Sequence, residues 1–233
     1  MTYRANGFLT TLLCLVGSLI GSSLSWADGK DGPSYEGTPL SVWADEVLSL
    51  NQLSNVNSSY PQVRAIRAIG TNAIPWLLTE LAKGPETDPI SKGQFDLLAL
   101  PVGSEPIYHQ LRARACFWAL GEQGAPAIPA LELLLDQQPE FVPSALAGIG
   151  APALGVLAQC ITNITPHAGS AGPRDRAMVS ALGGLAVALN LGRIPRTAAA
   201  NLLPDVRRWA AQENDRAAAY YAKGVIRILD SRQ

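Results

Sequence analysis

The stretch LRARACFWALGEQGAPAIPALELLL, Leu111 to Leu135, is a helix that stops, turns and restarts. Leu111, Ala115, Trp118 and Ala119 lie on one face of a first helix, and Ile128, Leu131, Leu134 and Leu135 on one face of a second. Between them a small apolar pair, Ala119-Leu120, leads to Gly124 and then to Ala127-Ile128-Pro129. The same grammar precedes this unit as Ala65-Ile66, Gly70 and Ala73-Ile74-Pro75, and follows it as Ala145-Leu146, Gly150 and Ala153-Leu154-Gly155. A glycine supplies the left-handed backbone at the end of the first helix. A proline sits in the first turn of the second, where its missing N–H costs nothing. Helix–turn–helix units repeated in series predict an α-solenoid.

Outward from this core, Pro39–Asn51 reads as a helix with Leu40, Trp43, Val47 and Leu50 on one stripe. The first unit then spans Tyr60–Ile69 and Ala73–Ala82, and the third Phe141–Gly148 and Ala151–Ile161. Gly70 and Gly124 are separated by a longer interval than Gly124 and Gly150, and the difference lies in an insertion, Lys83–Pro106, rich in glycine and proline. Insertions in repeat arrays emerge on one face, often the binding face. A second echo joins Arg112-Ala-Arg114-Ala, followed by Ala119-Leu120-Gly121, to Arg174-Asp-Arg176-Ala, followed by Ala181-Leu182-Gly183. It assigns a fourth unit, which lacks the Ala-Ile-Pro step. Its second helix is expected over Arg196–Gln212, and a last helix over Asp215–Leu229.

Leu111–Leu135 and Val63–Leu78 resemble HEAT repeats, and the likeness runs over about Tyr60–Leu229. The whole is similar to exported bacterial HEAT-repeat proteins. That resemblance implies an all-α fold, an α–α superhelix of four to five helical hairpins with armadillo-like helices, and a habit of binding proteins. It carries no catalytic residue. Metal-dependent enzymes built on such repeats place His-Glu pairs on successive helices, whereas here Gln110 follows His109 and Ala168 follows His167.

The domain layout expected is a signal peptide over 1–27, a flexible linker over 28–38 and the helical domain over 39–233. Arg4 precedes the apolar run Phe8–Ile20, and Ser25-Trp26-Ala27 offers small residues before Asp28. Cleavage there predicts a secreted or periplasmic protein with no membrane span, the alternative being retention of the segment as an anchor. The chain carries 18 basic and 19 acidic residues, and loss of Met1–Ala27 removes only Arg4, which leaves a net charge near −2. Such a balance gives no cationic surface to displace counterions from nucleic acid, so no nucleic-acid partner is expected.

No C-x-x-C spacing occurs, and two histidines are too few for a Cys/His metal site, so no metal or cofactor is expected. Cys116 and Cys160 allow either a disulfide in an oxidising compartment or two buried thiols. His109 and His167 have no nucleophile or carboxylate at motif spacing. Arg64, Arg67, Arg112, Arg114, Arg174 and Arg176 recur on first helices, either as a ladder gripping carboxylates or phosphates or as ties between units through acids and helix C-terminal carbonyls. Trp43, Trp76, Trp118 and Trp209 could serve as sugar- or peptide-stacking platforms, but all four fall on apolar stripes and are expected in the core.

The expected function is therefore a non-enzymatic scaffold holding a protein partner on a concave face lined by second helices. Glu80, Glu132, Gln137, Arg207 and Arg208, together with the Lys83–Pro106 insertion, are the candidate contacts. An enzyme with its site in the groove or under the insertion, and a structural subunit of a cell-envelope assembly, are the alternatives.

Overall fold

A computed structural model describes residues 31–50, 59–83, 107–162, 173–212 and 215–231. Over them the protein is all-α apart from one hairpin. Helix α1 is Leu40–Leu48. Helices α2 (Pro61–Ile69) and α3 (Ile74–Ala82) flank a 3-10 turn at Gly70–Ala73. Helices α4 (Tyr108–Leu120) and α5 (Ile128–Leu134) flank a 3-10 segment at Gly121–Ala127. Helices α6 (Val142–Ile149) and α7 (Leu154–Thr162) flank a third at Ala151–Ala153. The long α8 (Pro173–Asn190) leads to α9 (Arg196–Ala199), a 3-10 turn at Ala200–Leu202 and α10 (Leu203–Ala210), and α11 is Arg216–Asp230.

The turns follow from glycine and proline chemistry. Gly70, Gly121 and Gly150 end α2, α4 and α6 with φ of 61°, 59° and 93° and ψ of −138°, −136° and −141°. That region of backbone space is open to glycine and almost nothing else. Each donates its N–H to a carbonyl four residues back, on Ile66, Phe117 and Leu146. The glycine that ends the middle unit is thus Gly121, not Gly124 as the spacing implied. Gly124 lies within the 3-10 segment and serves packing instead, since a Cβ there would come within 3.0 Å of Ile149 Cγ1. The extra 3-10 residues absorb the offset, so the restart at Ile128-Pro129 still aligns with Ile74-Pro75.

The fourth unit departs from expectation in three places. Helix α8 runs through Gly183 and Gly184 to Asn190, and the positive-φ residue is Gly192 at 68°. The expected helix Arg196–Gln212 is broken into α9, a 3-10 turn and α10. Leu203-Pro204 opens α10 after that turn, so the helix restart missing from the motif is present in the structure. Where a polar linker was expected, Ser34–Tyr35 (β1) pairs antiparallel with Thr38–Pro39 (β2). Glu36 and Gly37 turn the chain with φ of 50° and 77°. Positive φ at both central residues is the demand of a two-residue hairpin turn. Gly32 before it lies against Trp76, with room for no Cβ.

Helices pack on their chain neighbours. α2 and α4, α4 and α6, α6 and α8, and α8 and α11 form successive contacts, α1 fills in against α2 and α4, and the 3-10 turns after α2, α4 and α6 touch in order. Every residue of α6 is buried, as a central helix covered on both sides must be. Trp118 and Trp209 are fully enclosed, and Trp209 Nε1 donates to the Ile161 carbonyl at 2.9 Å, joining α10 to α7. Trp43 and Trp76 pack at the edge of the same core. Cys116 and Cys160 are free, buried thiols and not a disulfide. Burial pushes the Cys160 thiol up to about 11 and Cys116 higher still, so neither is a nucleophile at neutral pH.

Candidate functional site

A buried polar cluster and an open groove hold most of the charged side chains brought together by the fold. The cluster joins α1, α3 and α4. Glu80 faces inward from α3 and is 1% exposed. Its carboxylate takes Lys83 Nζ at 2.6 Å, His109 Nδ1 at 2.6 Å and Arg112 through both Nε (2.7 Å) and Nη2. Arg112 also reaches Asp45 Oδ1 at 3.3 Å and lies over the Trp76 ring at 4.9 Å. Asp45 accepts the Tyr108 hydroxyl at 2.5 Å. Burial alone would raise the Glu80 pKa, but the hydrogen bonds from His109 and Lys83 and the Arg112 charge outweigh it and hold the carboxyl at about 2. Tyr108 moves the other way: burial and the adjacent Asp45 raise its hydroxyl well above the usual range. The amide of Gln110 donates to the Lys83 carbonyl, closing the end of α3.

Glu80 was expected on a partner-binding surface. It is instead the hub of this enclosed cluster, because Arg112 and His109 arrive from the next unit to neutralise it. The His109–Glu80 pair has the form of an acid–base dyad, but 29 residues separate its members, so no motif announced it. Its carboxylate is fully engaged and shielded from solvent, which suits a clasp between units better than chemistry on a substrate.

The other expected contacts stay on the surface. Glu132 on α5 and Gln137 just after it are exposed. Arg207 is exposed on α10, with Nη2 3.8 Å from Asp230. Arg208 lies over Trp209 and meets Asp205 at 3.3 Å. None of these four lines the groove described next. Within the insertion, the stretch 84–106 lies outside the described residues, as do His167 and the 1–27 segment. Among the first-helix arginines, three act as ties. Arg67 Nε donates to the Ala119 carbonyl at the end of α4 (2.8 Å), Arg112 joins α4 to α3, and Arg176 Nη1 meets Glu140 at 3.0 Å. Arg193, which the repeat pattern did not include, does the same for α6 through the Gly148 carbonyl at 2.7 Å and lies over Trp118.

Arg114 differs from these three. It projects from α4 into a groove of about 540 Å³ lined by side chains of α6, α8 and α11. Burial lowers its pKa, and its buried Nε has no hydrogen-bond partner. Ser144 from α6, Asp175, Arg176 and Ser180 from α8 and Tyr221 from α11 share the groove with Glu140 and Asp215. Gly183 and Gly184 keep it open, for their missing side chains would otherwise project onto Tyr221 and Ala147. Arg114 and Arg176 are the matched residues of the internal echo, so the sequence marked their equivalence without showing that they face one groove. The groove is lined by first helices, whereas the sequence pointed to second helices.

Among the described residues, no group of His, Cys, Asp and Glu could hold a metal ion, and no helix is long and apolar enough to cross a membrane. No protein-family model, curated protein or solved structure matches the chain.

Proposed function

We propose that the protein is a non-enzymatic scaffold of the HEAT-repeat kind, an α–α superhelix that holds a protein partner in the groove between α4, α6, α8 and α11. The serial contacts of α2, α4, α6, α8 and α11, with their 3-10 turns in register, support the superhelical part of this reading. The observation that carries the binding part is Arg114, a half-buried guanidinium in the wall of an open groove whose buried Nε has no hydrogen-bond partner. A folded chain keeps such a costly group where it meets something else. The apolar leader over residues 1–27 supports placement in the periplasm or outside the cell.

The rival reading, an enzyme with its site in the groove or under the insertion, gains nothing from the Glu80–His109 pair, since Glu80 is 1% exposed. The test is a cross-linked pull-down from envelope and secreted fractions with the tagged full chain, run beside an Arg176→Glu variant and a Glu132→Arg variant. A partner kept by Glu132→Arg and lost by Arg176→Glu supports a scaffold that uses the groove. A partner lost only with Glu132→Arg moves the face to the second helices. No specific partner in any sample removes the scaffold reading.

A further inference from the structure

Each acid of the groove has a partner, and Arg114 has none. Glu140 pairs with Arg176 at 3.0 Å on the surface. Asp215 accepts the Ala218 N–H at 2.9 Å and caps α11. Asp175 is likewise engaged. Arg114 forms no ion pair among the described residues, and its Nε is buried and unbonded. A guanidinium presents a planar fork that fits a carboxylate through two parallel hydrogen bonds, and desolvation makes that pairing stronger than it is in water. Next to it lie the hydroxyl-bearing Ser144 and an apolar strip of Val179 and Val187 over Gly183 and Gly184. A volume of about 540 Å³ takes several residues of extended chain or one small ligand.

The charge of the lining decides between those occupants. Glu140, Asp175 and Asp215 outnumber Arg114 and Arg176 there, so the groove is acidic on balance, which disfavours a small free anion and attracts a carboxylate carried beside a basic group. We infer that Arg114 is a carboxylate-recognition residue for a polypeptide segment of the partner, one that presents a carboxylate to Arg114, an apolar side chain to Val179 and Val187, and a basic side chain to the acids of the groove. This rests on the binding-scaffold reading and names the chemistry its partner must bring. Either a chain terminus or an acidic side chain can supply the carboxylate.

Titration of the full chain by NMR, following the Arg114 Nε–Hε resonance, tests the inference with four probes. These are acetyl-Ala-Leu-Lys with a free C-terminus, the same peptide amidated, amidated acetyl-Asp-Leu-Lys, and sodium acetate. The free-terminus or the Asp peptide should move the Arg114 resonance and bind at least tenfold more tightly than the amidated control, and whichever does so identifies the carboxylate's source. Arg114→Gln should lose that difference while melting at or above the wild-type temperature, because it removes a half-buried guanidinium that forms no ion pair. Equal binding of the amidated control, or no movement of the Arg114 resonance with any probe, overturns the inference. Acetate binding as tightly as the peptides replaces the peptide occupant with a small anion. A lowered melting temperature for Arg114→Gln makes Arg114 structural and overturns its recognition role. Peptide binding with an empty pull-down would keep the carboxylate site and remove the scaffold, whereas a captured partner with inert peptides would do the reverse.

Discussion

Glu80 shows how a single residue can be read correctly for its helix and wrongly for its side. Its place on α3 follows from the repeat, but its burial follows from Arg112, His109 and Lys83 converging on it. The folded carboxyl is held at about 2, below its ordinary value of 4.5. The stabilisation is therefore fully present above about pH 4.5 and is lost as pH falls through about 2, and the shift corresponds to about 3 kcal/mol. Urea unfolding across this range should show a steep acid loss in the wild type. Glu80→Gln should be about 3 kcal/mol less stable at neutral pH, with an acid limb flattened by that amount. Equal stability of the two chains at pH 7 would show that the cluster contributes no net stability.

Among the elements, close helix contacts depend on residues that carry no side chain. Gly148 on α6 faces Trp118 of α4, where an added Cβ would come within 2.8 Å of the indole ring. Gly184 on α8 faces Ala147, with a gap of 2.7 Å to its Cβ. Gly148→Ala and Gly184→Ala must therefore push α6 away from its neighbours, at a cost of about 1–3 kcal/mol each. Gly155 on α7 meets nothing within 4 Å, so Gly155→Ala should instead gain about 0.5–1 kcal/mol from reduced unfolded-state freedom. Thermal melts of the three variants separate packing from propensity: a shared direction of change would remove the packing argument. The internal echo does not extend to backbone conformation. Gly121 ends α4, whereas its counterpart Gly183 continues α8 and lies against Tyr221 of α11.

For the whole molecule, contact between chain neighbours implies stability graded along the stack. Helices α4 and α6 are covered on both sides, while α1 and α11 each close one end. Native-state hydrogen exchange should find the slowest amides in α4 and α6, exchanging only on global unfolding, and faster opening in α1 and α11. Uniform protection across all helices would describe one cooperative globule and count against a repeat array. Addition of the acetylated tripeptide acid should, on the carboxylate inference, slow exchange in α8 and α11 together, since both line the groove.

Helix positions, turn chemistry and the tryptophan core were legible in the residues because they depend on local rules: apolar spacing, glycine conformations and proline at helix starts. The errors there, Gly124 for Gly121 and one helix for α9 and α10, are shifts of a turn that leave the all-α class unchanged. The candidate site was not legible, because it is a matter of which side chains find partners. Arg112 and Arg114 are two residues apart on one helix and look alike in the sequence. One is drawn into a carboxylate from α3, and the other is left in a groove made by three later helices. Only the tertiary structure distinguishes them, since the charge that satisfies an arginine comes from a part of the chain that local pattern cannot see.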